Sequence, residues 1–182
     1  MTMGLKDPRE HDDFLNYQIK RLLTLGGAPA IRLCEGRYGV ARMEWRLVAA
    51  LEEDGPMSPS ALVCRTDIDQ ARVSRALDRL EEKGFLVRTQ DATDRRRILL
   101  SLTEAGRQLY RDLFPALADI NRRIMSVLND TEADALEGYL KRLTVRAREI
   151  FDHGGGVDVR TDRRLGGSRR LWHRHRPATS AE

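Results

Sequence analysis

Apolar residues recur at helical spacing over most of this chain. The pattern predicts a first helix over 11–25 and another over 41–55. Between them, Gly26, Gly27 and Pro29 break the pattern, because two glycines and a proline within four positions disfavour a helix interior. We therefore expect the first helix to be interrupted there, with a short second helical piece before the next long element.

The middle of the chain changes from helical to strand periodicity. Ser58 followed by Pro59 predicts the start of a short helix, since serine can cap the first amides and proline fits the first turn. A longer helix is predicted over 67–84, where the apolar residues form one stripe. Two β-prone runs at 85–89 and 98–102, separated by eight mostly polar residues, then predict a hairpin with a long tip.

Two long helices and a basic tail complete the pattern. Thr103 is the predicted N-cap of the first of these helices, and the spacing of Thr131 and Asp134 predicts a capping box at the start of the second. Residues 152–182 contain two glycine clusters and few apolar side chains, too few to offset the entropy of ordering the segment. We expect this tail to be flexible.

The composition favours a single soluble domain and opposes a membrane protein or a disulfide-rich protein. A length of 182 residues suits one domain with additions, and the formal net charge of +4 lies mostly in the tail, where seven arginines accompany four acidic residues. The chain begins without a secretory signal and has no apolar run long enough for a membrane span, so we expect a soluble, cytoplasmic protein. Cys34 and Cys64 are too few and too far apart for a disulfide scaffold or a paired metal site.

The predicted elements follow one another in the order of a winged helix-turn-helix. We expect a mainly α fold with a small β-hairpin wing, in which the winged helix-turn-helix is flanked by a helical dimerisation layer. On the helix over 67–84, Arg75 lies most squarely opposite the apolar stripe, with Ala71 and Arg72 beside it. These positions and Ser74 are the predicted major-groove contacts, because the N-terminal part of such a helix meets the base edges.

The hairpin tip carries Asp94 and then Arg95, Arg96 and Arg97. Three adjacent cations on a turn repel one another, so a partner of opposite charge is expected. The phosphates and the narrow minor groove of DNA supply that charge. Asp94 would hydrogen-bond a neighbouring guanidinium and stiffen the tip before binding.

A solvated helix face is the alternative interpretation of the arginines on the helix over 67–84. In it, Arg79 and its neighbours pair with acidic residues of the same helix, Asp78 and Glu82. The arginine cluster in the following hairpin favours the DNA-binding interpretation.

The runs VSRALDRLEEKGFL and VRTQDATDRRRILLSLTEAG resemble the MarR/SlyA family of multiple-antibiotic-resistance regulators, whose wing carries Asp-x-Arg and ends in Leu-Thr-x-x-Gly. MEWRLVAAL fits the family's preceding helix, and the resemblance covers roughly residues 12–150. It implies that Arg96 is the wing-tip arginine that enters the minor groove and that Asp94 positions it. It also implies that Arg75 and Ala71 read the major groove.

The resemblance further implies an obligate homodimer, built from the first helix of each chain with the last two, on an imperfect palindrome of double-stranded DNA. Ser58 and Arg88 are assigned to contacts with the DNA backbone. On this basis the chain divides into an N-terminal dimerisation helix (11–40), the winged helix-turn-helix (41–103), the C-terminal dimerisation helices (104–151) and the basic tail (152–182).

Members of the family often bind small aromatic or phenolic acids, or oxidise a cysteine, in the crevice between the dimer layer and the winged domain. By this analogy Cys34, Tyr38, Trp45 and Arg46 are the candidate crevice residues, although packing or surface is the ordinary role of each residue type. A broken first helix would depart from the continuous helix of the family and alter the crevice.

The implied function is a ligand-responsive DNA-binding repressor, not an enzyme. A thiol enzyme using Cys34 or Cys64 is opposed because no histidine lies in the core elements to activate either thiol. No cofactor or metal is expected, since His173 and His175 in the tail lack further ligands. An architectural protein that binds DNA with little sequence preference remains the alternative.

Overall fold

A computed structural model describes residues 4–66, 68–90, 94 and 97–153. The chain divides into two compact units, one with residues 1–66 and 70–124 and the other with 67–69 and the residues from 125 onward. The elements in chain order are a 3₁₀ turn (His11–Asp13), α1 (Leu15–Arg32), a π-helical turn (Leu33–Arg37), α2 (Arg42–Asp54), α3 (Pro59–Thr66), α4 (Gln70–Glu82), β1 (Leu86–Gln90), β2 (Ile98–Leu102), α5 (Glu104–Met125) and α6 (Asp130–Asp152).

The first helix is continuous, so the predicted interruption at Gly26, Gly27 and Pro29 is wrong. The two glycines allow close packing instead. A Cβ at position 27 would lie 2.6 Å from Nη1 of Arg42, and one at position 26 would lie 3.1 Å from Cδ1 of Ile124. Pro29 removes one backbone hydrogen bond but leaves helical geometry on both sides.

The core of the first unit lies between the three short helices and the hairpin. Leu47 of α2, Leu62 of α3 and Leu80 of α4 are fully buried, together with Leu86 and Leu100 of the two strands. The predicted helix over 67–84 is confirmed as α4, and its apolar stripe is the face that packs into this core.

The predicted hairpin is also confirmed. β1 and β2 are antiparallel, with Leu86 opposite Leu102 and Arg88 opposite Leu100. Met57, in the loop before α3, exchanges two backbone hydrogen bonds with Leu100, at 2.8 and 3.2 Å. The wing is therefore attached to the loop between α2 and α3 as well as to α4.

A tight junction joins the hairpin to α5. Thr103 caps the helix as predicted, because its Oγ1 accepts a hydrogen bond from the amide of Gly106 at 3.1 Å and donates one to the carbonyl of Gly84 at 2.6 Å. A Cβ at position 106 would lie only 2.2 Å from the carbonyl oxygen of Phe85. Only glycine fits this position without a backbone shift.

The N-cap of the last helix, in the second unit, lies two residues before the predicted capping box. Asn129 and Glu132 form the box instead: Asn129 Oδ1 accepts from the Glu132 amide at 3.0 Å, and Glu132 Oε2 accepts from the Asn129 amide at 2.9 Å. Asparagine is a strong N-cap, so the earlier start extends the helix at no cost in capping. No described helix, α6 included, is long and apolar enough to cross a membrane.

Candidate nucleic-acid interface

The N-terminal half of α4 presents the predicted major-groove residues. Arg72, Ser74 and Arg75 are exposed and Ala71 is half-buried, while the opposite face packs into the core. Among the described residues, Arg75 has neither an ion-pair nor a hydrogen-bond partner. Its five donors are therefore available to an external acceptor.

Arg79, one turn further along α4, forms an ion pair within the protein instead. Its Nε donates a 2.5 Å hydrogen bond to Oε1 of Glu44, on α2, whose side chain is only 1% exposed. The alternative interpretation paired Arg79 with acids of its own helix, but the ion pair crosses to another helix. The sequence holds the signal that finds Glu44: it shares one helical face of α2 with the buried Leu47, Val48 and Leu51.

Glu44 accepts two further hydrogen bonds. Lys83 Nζ lies 2.7 Å from its Oε2 and also donates to the carbonyl of Gly39 at 2.8 Å, while the Ala41 amide donates to Oε2 at 3.0 Å. Burial alone raises the pKa of this carboxyl. The hydrogen bonds from Lys83, Arg79 and Ala41 outweigh burial and hold the pKa below its usual value. Glu44 therefore stays ionised at neutral pH.

Arg88, predicted as a DNA backbone contact, is paired within the protein. On β1, it donates through Nη2 to Oδ1 of Asp78 at 2.6 Å, and its Nη1 lies 3.1 Å from Oε2 of Glu81. Both acids belong to α4. The guanidinium thus ties the first wing strand to the C-terminal half of that helix.

Of the four predicted wing-tip residues, the structure describes Asp94 and Arg97. The Arg97 amide donates to the Asp94 carbonyl at 2.8 Å, and Arg97 Nε lies 3.5 Å from Asp94 Oδ2. Arg95 and Arg96 lie outside the described residues, as does the tail from residue 154. Among the described residues, Asp94 is therefore ion-paired with Arg97. The positioning of Arg96 by Asp94, which the family resemblance implies, stays a prediction.

Ser58, the other predicted backbone contact, caps α3. Its Oγ accepts a hydrogen bond from the Ala61 amide at 3.2 Å and lies 3.0 Å from Oγ of Ser60. The predicted start of α3 is confirmed by this cap.

The four candidate crevice residues are not brought together. Trp45 and Arg46 line one pocket with Arg65 and Thr66, and Arg46 donates to the Thr66 carbonyl at 2.6 Å. Trp45 also stacks on Tyr110 of α5, with ring centroids 5.4 Å apart, a contact that sequence reasoning missed.

Cys34 and Tyr38 lie apart from that pocket. Tyr38 donates to the carbonyl of Asp112 at 3.3 Å. Cys34 is fully buried, and burial raises the pKa of its thiol despite the opposing charge of Arg42. Within the described part of the chain, no group of three or more histidines, cysteines and acidic residues is placed to hold a metal ion.

The sequence of this chain is similar to those of known transcriptional regulators. A family model described as the MarR family matches residues 38–97. The transcriptional repressor MprA of Escherichia coli (strain K12) is 30% identical over 152 residues, which cover 79% of this chain and 86% of the repressor. The family-model match contains α2, α3, α4 and β1 and ends directly before β2.

Solved structures share the same architecture. Bordetella bronchiseptica BpsR, whose structure concerns regulation of its DNA binding by 6-hydroxynicotinic acid, superposes with a TM-score of 0.68 at 25% identity, covering 76% of this chain and 98% of BpsR. A MarR/EmrR family regulator from Acinetobacter sp. ADP1 has a TM-score of 0.71 at 24% identity, with 77% and 99% covered. The predicted fold class is confirmed, and the relatives are regulators of transcription. The chain belongs to the MarR family of transcriptional regulators.

Proposed function

We propose that this protein is a sequence-specific repressor that binds double-stranded DNA as a homodimer and releases it in response to a small molecule. The single observation that carries the proposal is Arg75, an exposed arginine on the N-terminal half of α4 with no partner among the described residues. Arginine in this place can donate two hydrogen bonds to O6 and N7 of guanine. Arg72, Ser74 and Ala71 flank it on the same half of the helix.

The wing supplies the second DNA contact. Arg95, Arg96 and Arg97 meet the phosphates and the minor groove, with Asp94 paired to the guanidinium of Arg97. Phosphate contacts fix the register of the protein on the duplex, and the base contacts of α4 give it sequence preference. Ser58 lies at the start of α3, where the backbone amide of Ser60 and the positive end of the helix dipole can meet a phosphate.

Dimerisation is supported by apolar side chains left exposed on the helices outside the core. α1 exposes Leu22, Leu23 and Leu25, and α6, which has no buried residue, exposes Tyr139 and Val145. Apolar surface of this kind is typical of an association interface. A two-fold dimer would present two copies of α4 about one turn of DNA apart, so the operator should be a palindrome. The division at residues 40, 103 and 151 belongs to this proposal.

A small aromatic acid is the proposed effector class. DNA binding by BpsR is regulated by 6-hydroxynicotinic acid. In this chain, Trp45 and Arg46 line one pocket and offer an aromatic face and a cation to such a ligand. The ligand would shift the DNA-binding equilibrium only by its preference for one state over the other.

The test is a fluorescence-anisotropy titration against DNA tiled from the intergenic region upstream of the protein's own gene, and against scrambled duplex, at fixed near-physiological salt. The proposal expects one tile to bind at least about a thousandfold more tightly than scrambled DNA. Equal binding to all duplexes with steep salt dependence would contradict it and favour the architectural alternative. Analytical ultracentrifugation of the free protein and of the complex gives the number of chains on the operator.

A further inference from the structure

The C-terminal half of α4 is held by a buried carboxylate on another helix. Arg79 on α4 and Lys83, which directly follows the last residue of α4, donate to different oxygens of Glu44, at 2.5 and 2.7 Å. The Ala41 amide at the start of α2 supplies a third donor. Glu44 thus receives donors from α2 and from the end of α4 at once.

This geometry resists rotation and sliding of α4. A buried carboxylate that loses a partner keeps an uncompensated charge away from water, so displacing either cation is unfavourable. The planar guanidinium of Arg79 adds a directional constraint, since its Nε–H must point at Glu44 Oε1. Lys83 is fixed further by its bond to the Gly39 carbonyl.

A second set of ion pairs holds the same half of the helix from the wing. Arg88 of β1 contacts Asp78 and Glu81. The C-terminal half of α4 is therefore tied to α2 and to β1, whereas Arg75, in the N-terminal half, is exposed to solvent. Because a bidentate contact to a base tolerates little misalignment, the orientation of α4 determines whether Arg75 can make it.

We propose that Glu44 is a positioning residue for DNA recognition: it sets the orientation of α4, through Arg79 and Lys83, so that Arg75 meets the base edges. Glu44 itself touches no DNA. This role rests on the proposed function and extends it to a residue in the interior of the protein. A carboxylate needed only for stability would affect unfolding and leave the preference among DNA sequences unchanged.

Glu82 provides a matched control. It is the last residue of α4, the helix whose orientation is in question, is exposed, and among the described residues has no ion-pair partner. Glu44→Gln and Glu82→Gln each remove one negative charge, so both should tighten binding to scrambled DNA through the same long-range electrostatic effect. Only Glu44→Gln should disturb the orientation of α4.

The experiment measures the dissociation constants for the operator tile and for scrambled duplex by fluorescence anisotropy at fixed salt. The ratio of the two is expected to fall roughly tenfold in Glu44→Gln, the effect of a weakened base contact, and to stay at the parent value in Glu82→Gln. Equal ratios in the two variants would overturn the role of Glu44. A parent protein without any preferred tile would overturn the proposed function as well, so the two failures are distinguishable.

If Glu44→Gln does not fold, a substitution of Arg79 tests the ion pair between Glu44 and Arg79 through its other partner. The Arg79 side chain is 43% exposed, and Arg79→Met leaves Lys83 and the Ala41 amide as donors to the buried carboxylate, so the charge of Glu44 stays partly compensated. The operator preference should fall in Arg79→Met and recover in part in Arg79→Lys, which keeps the cation. A parent-like ratio in Arg79→Met would overturn the proposal.

Discussion

The guanidinium of Arg88, on β1, donates a 2.6 Å hydrogen bond to the carboxylate of Asp78, on α4. Its other terminal nitrogen lies 3.1 Å from Glu81. The charge of Arg88 is therefore balanced inside the protein by two acids. We therefore expect Arg88 to act on DNA binding through the orientation of the wing strand and the helix rather than through a phosphate.

Replacing Arg88 tests this distinction. Arg88→Met should leave the slope of log Kd against log salt unchanged, because no phosphate contact is lost, and should lower the free energy of unfolding by less than about 1 kcal/mol, as expected for exposed ion pairs. Arg96→Met is the comparison variant, since the loss of a wing cation proposed to meet the DNA should lower the slope by about one. A slope reduced equally in both variants would assign Arg88 to the DNA backbone.

Arg75→Ala should weaken operator binding without unfolding the protein. The lost bidentate contact is expected to cost about 1–3 kcal/mol and to relax preference at one base pair. Since Arg75 is exposed and pairs with no described residue, the free energy of unfolding should change by less than about 0.5 kcal/mol. Anisotropy with single-base operator variants and urea denaturation measure the two effects. Arg111→Ala, which removes the same charge from α5, should keep the base preference of the parent.

Gly106 and Gly138 should respond in opposite directions to the same substitution. Gly106→Ala places a Cβ 2.2 Å from the Phe85 carbonyl oxygen and should destabilise by about 1–3 kcal/mol or more. Gly138, on α6, has no neighbouring atom within 4 Å of the added Cβ, so Gly138→Ala should stabilise by about 0.5–1 kcal/mol through helix propensity. Urea denaturation of the two variants checks the signs. A neutral Gly106→Ala would contradict the tight junction between the hairpin and α5.

Glu44 should make stability depend on pH in the acid range. Its pKa in the folded protein lies below the usual 4.5, so its contribution is fully present above pH 4.5 and is lost as the pH falls through the folded pKa. Glu44→Gln should therefore lose less free energy of unfolding than the parent as the pH falls, because it has no carboxyl to protonate at this position. The measurement is the difference between parent and variant in the free energy of unfolding from pH 7 to pH 3, which cancels the contributions of the other carboxyls. A difference that stays constant over this range would contradict the low pKa.

The two cysteines should differ sharply in reactivity. Cys34 is fully buried with a raised pKa, whereas Cys64 is exposed. Ellman's reagent at neutral pH should therefore modify one thiol quickly in the native protein and the second only on unfolding, because the reactive species is an accessible thiolate. Mass spectrometry identifies the labelled residue. Rapid modification of Cys34 in the folded protein would support a redox role for it.

The sequence by itself determined the elements whose signals are local. α4 and the two strands follow from apolar spacing over a few turns or a few residues. The Ser58 and Thr103 caps follow from single residues beside such patterns. The same short segments carried the resemblance to the MarR family, because the family's motif lies in the recognition helix and the wing. The exposed position of Arg75 also followed from the helical wheel of α4 alone.

Only the tertiary structure decided which distant residues meet. The local sequence predicts a helix break at Gly26 and Gly27. In the structure, the absence of a Cβ at these positions instead allows the side chains of Arg42 and Ile124 to pack against the helix. Glu44 meets Arg79 across 35 positions and Lys83 across 39. Local periodicity is set by neighbours within one turn or one strand pair, whereas such contacts depend on how several helices pack together. The pairing of Glu44 with Arg79 and Lys83, and with it the orientation of α4, is therefore a property of the assembled core.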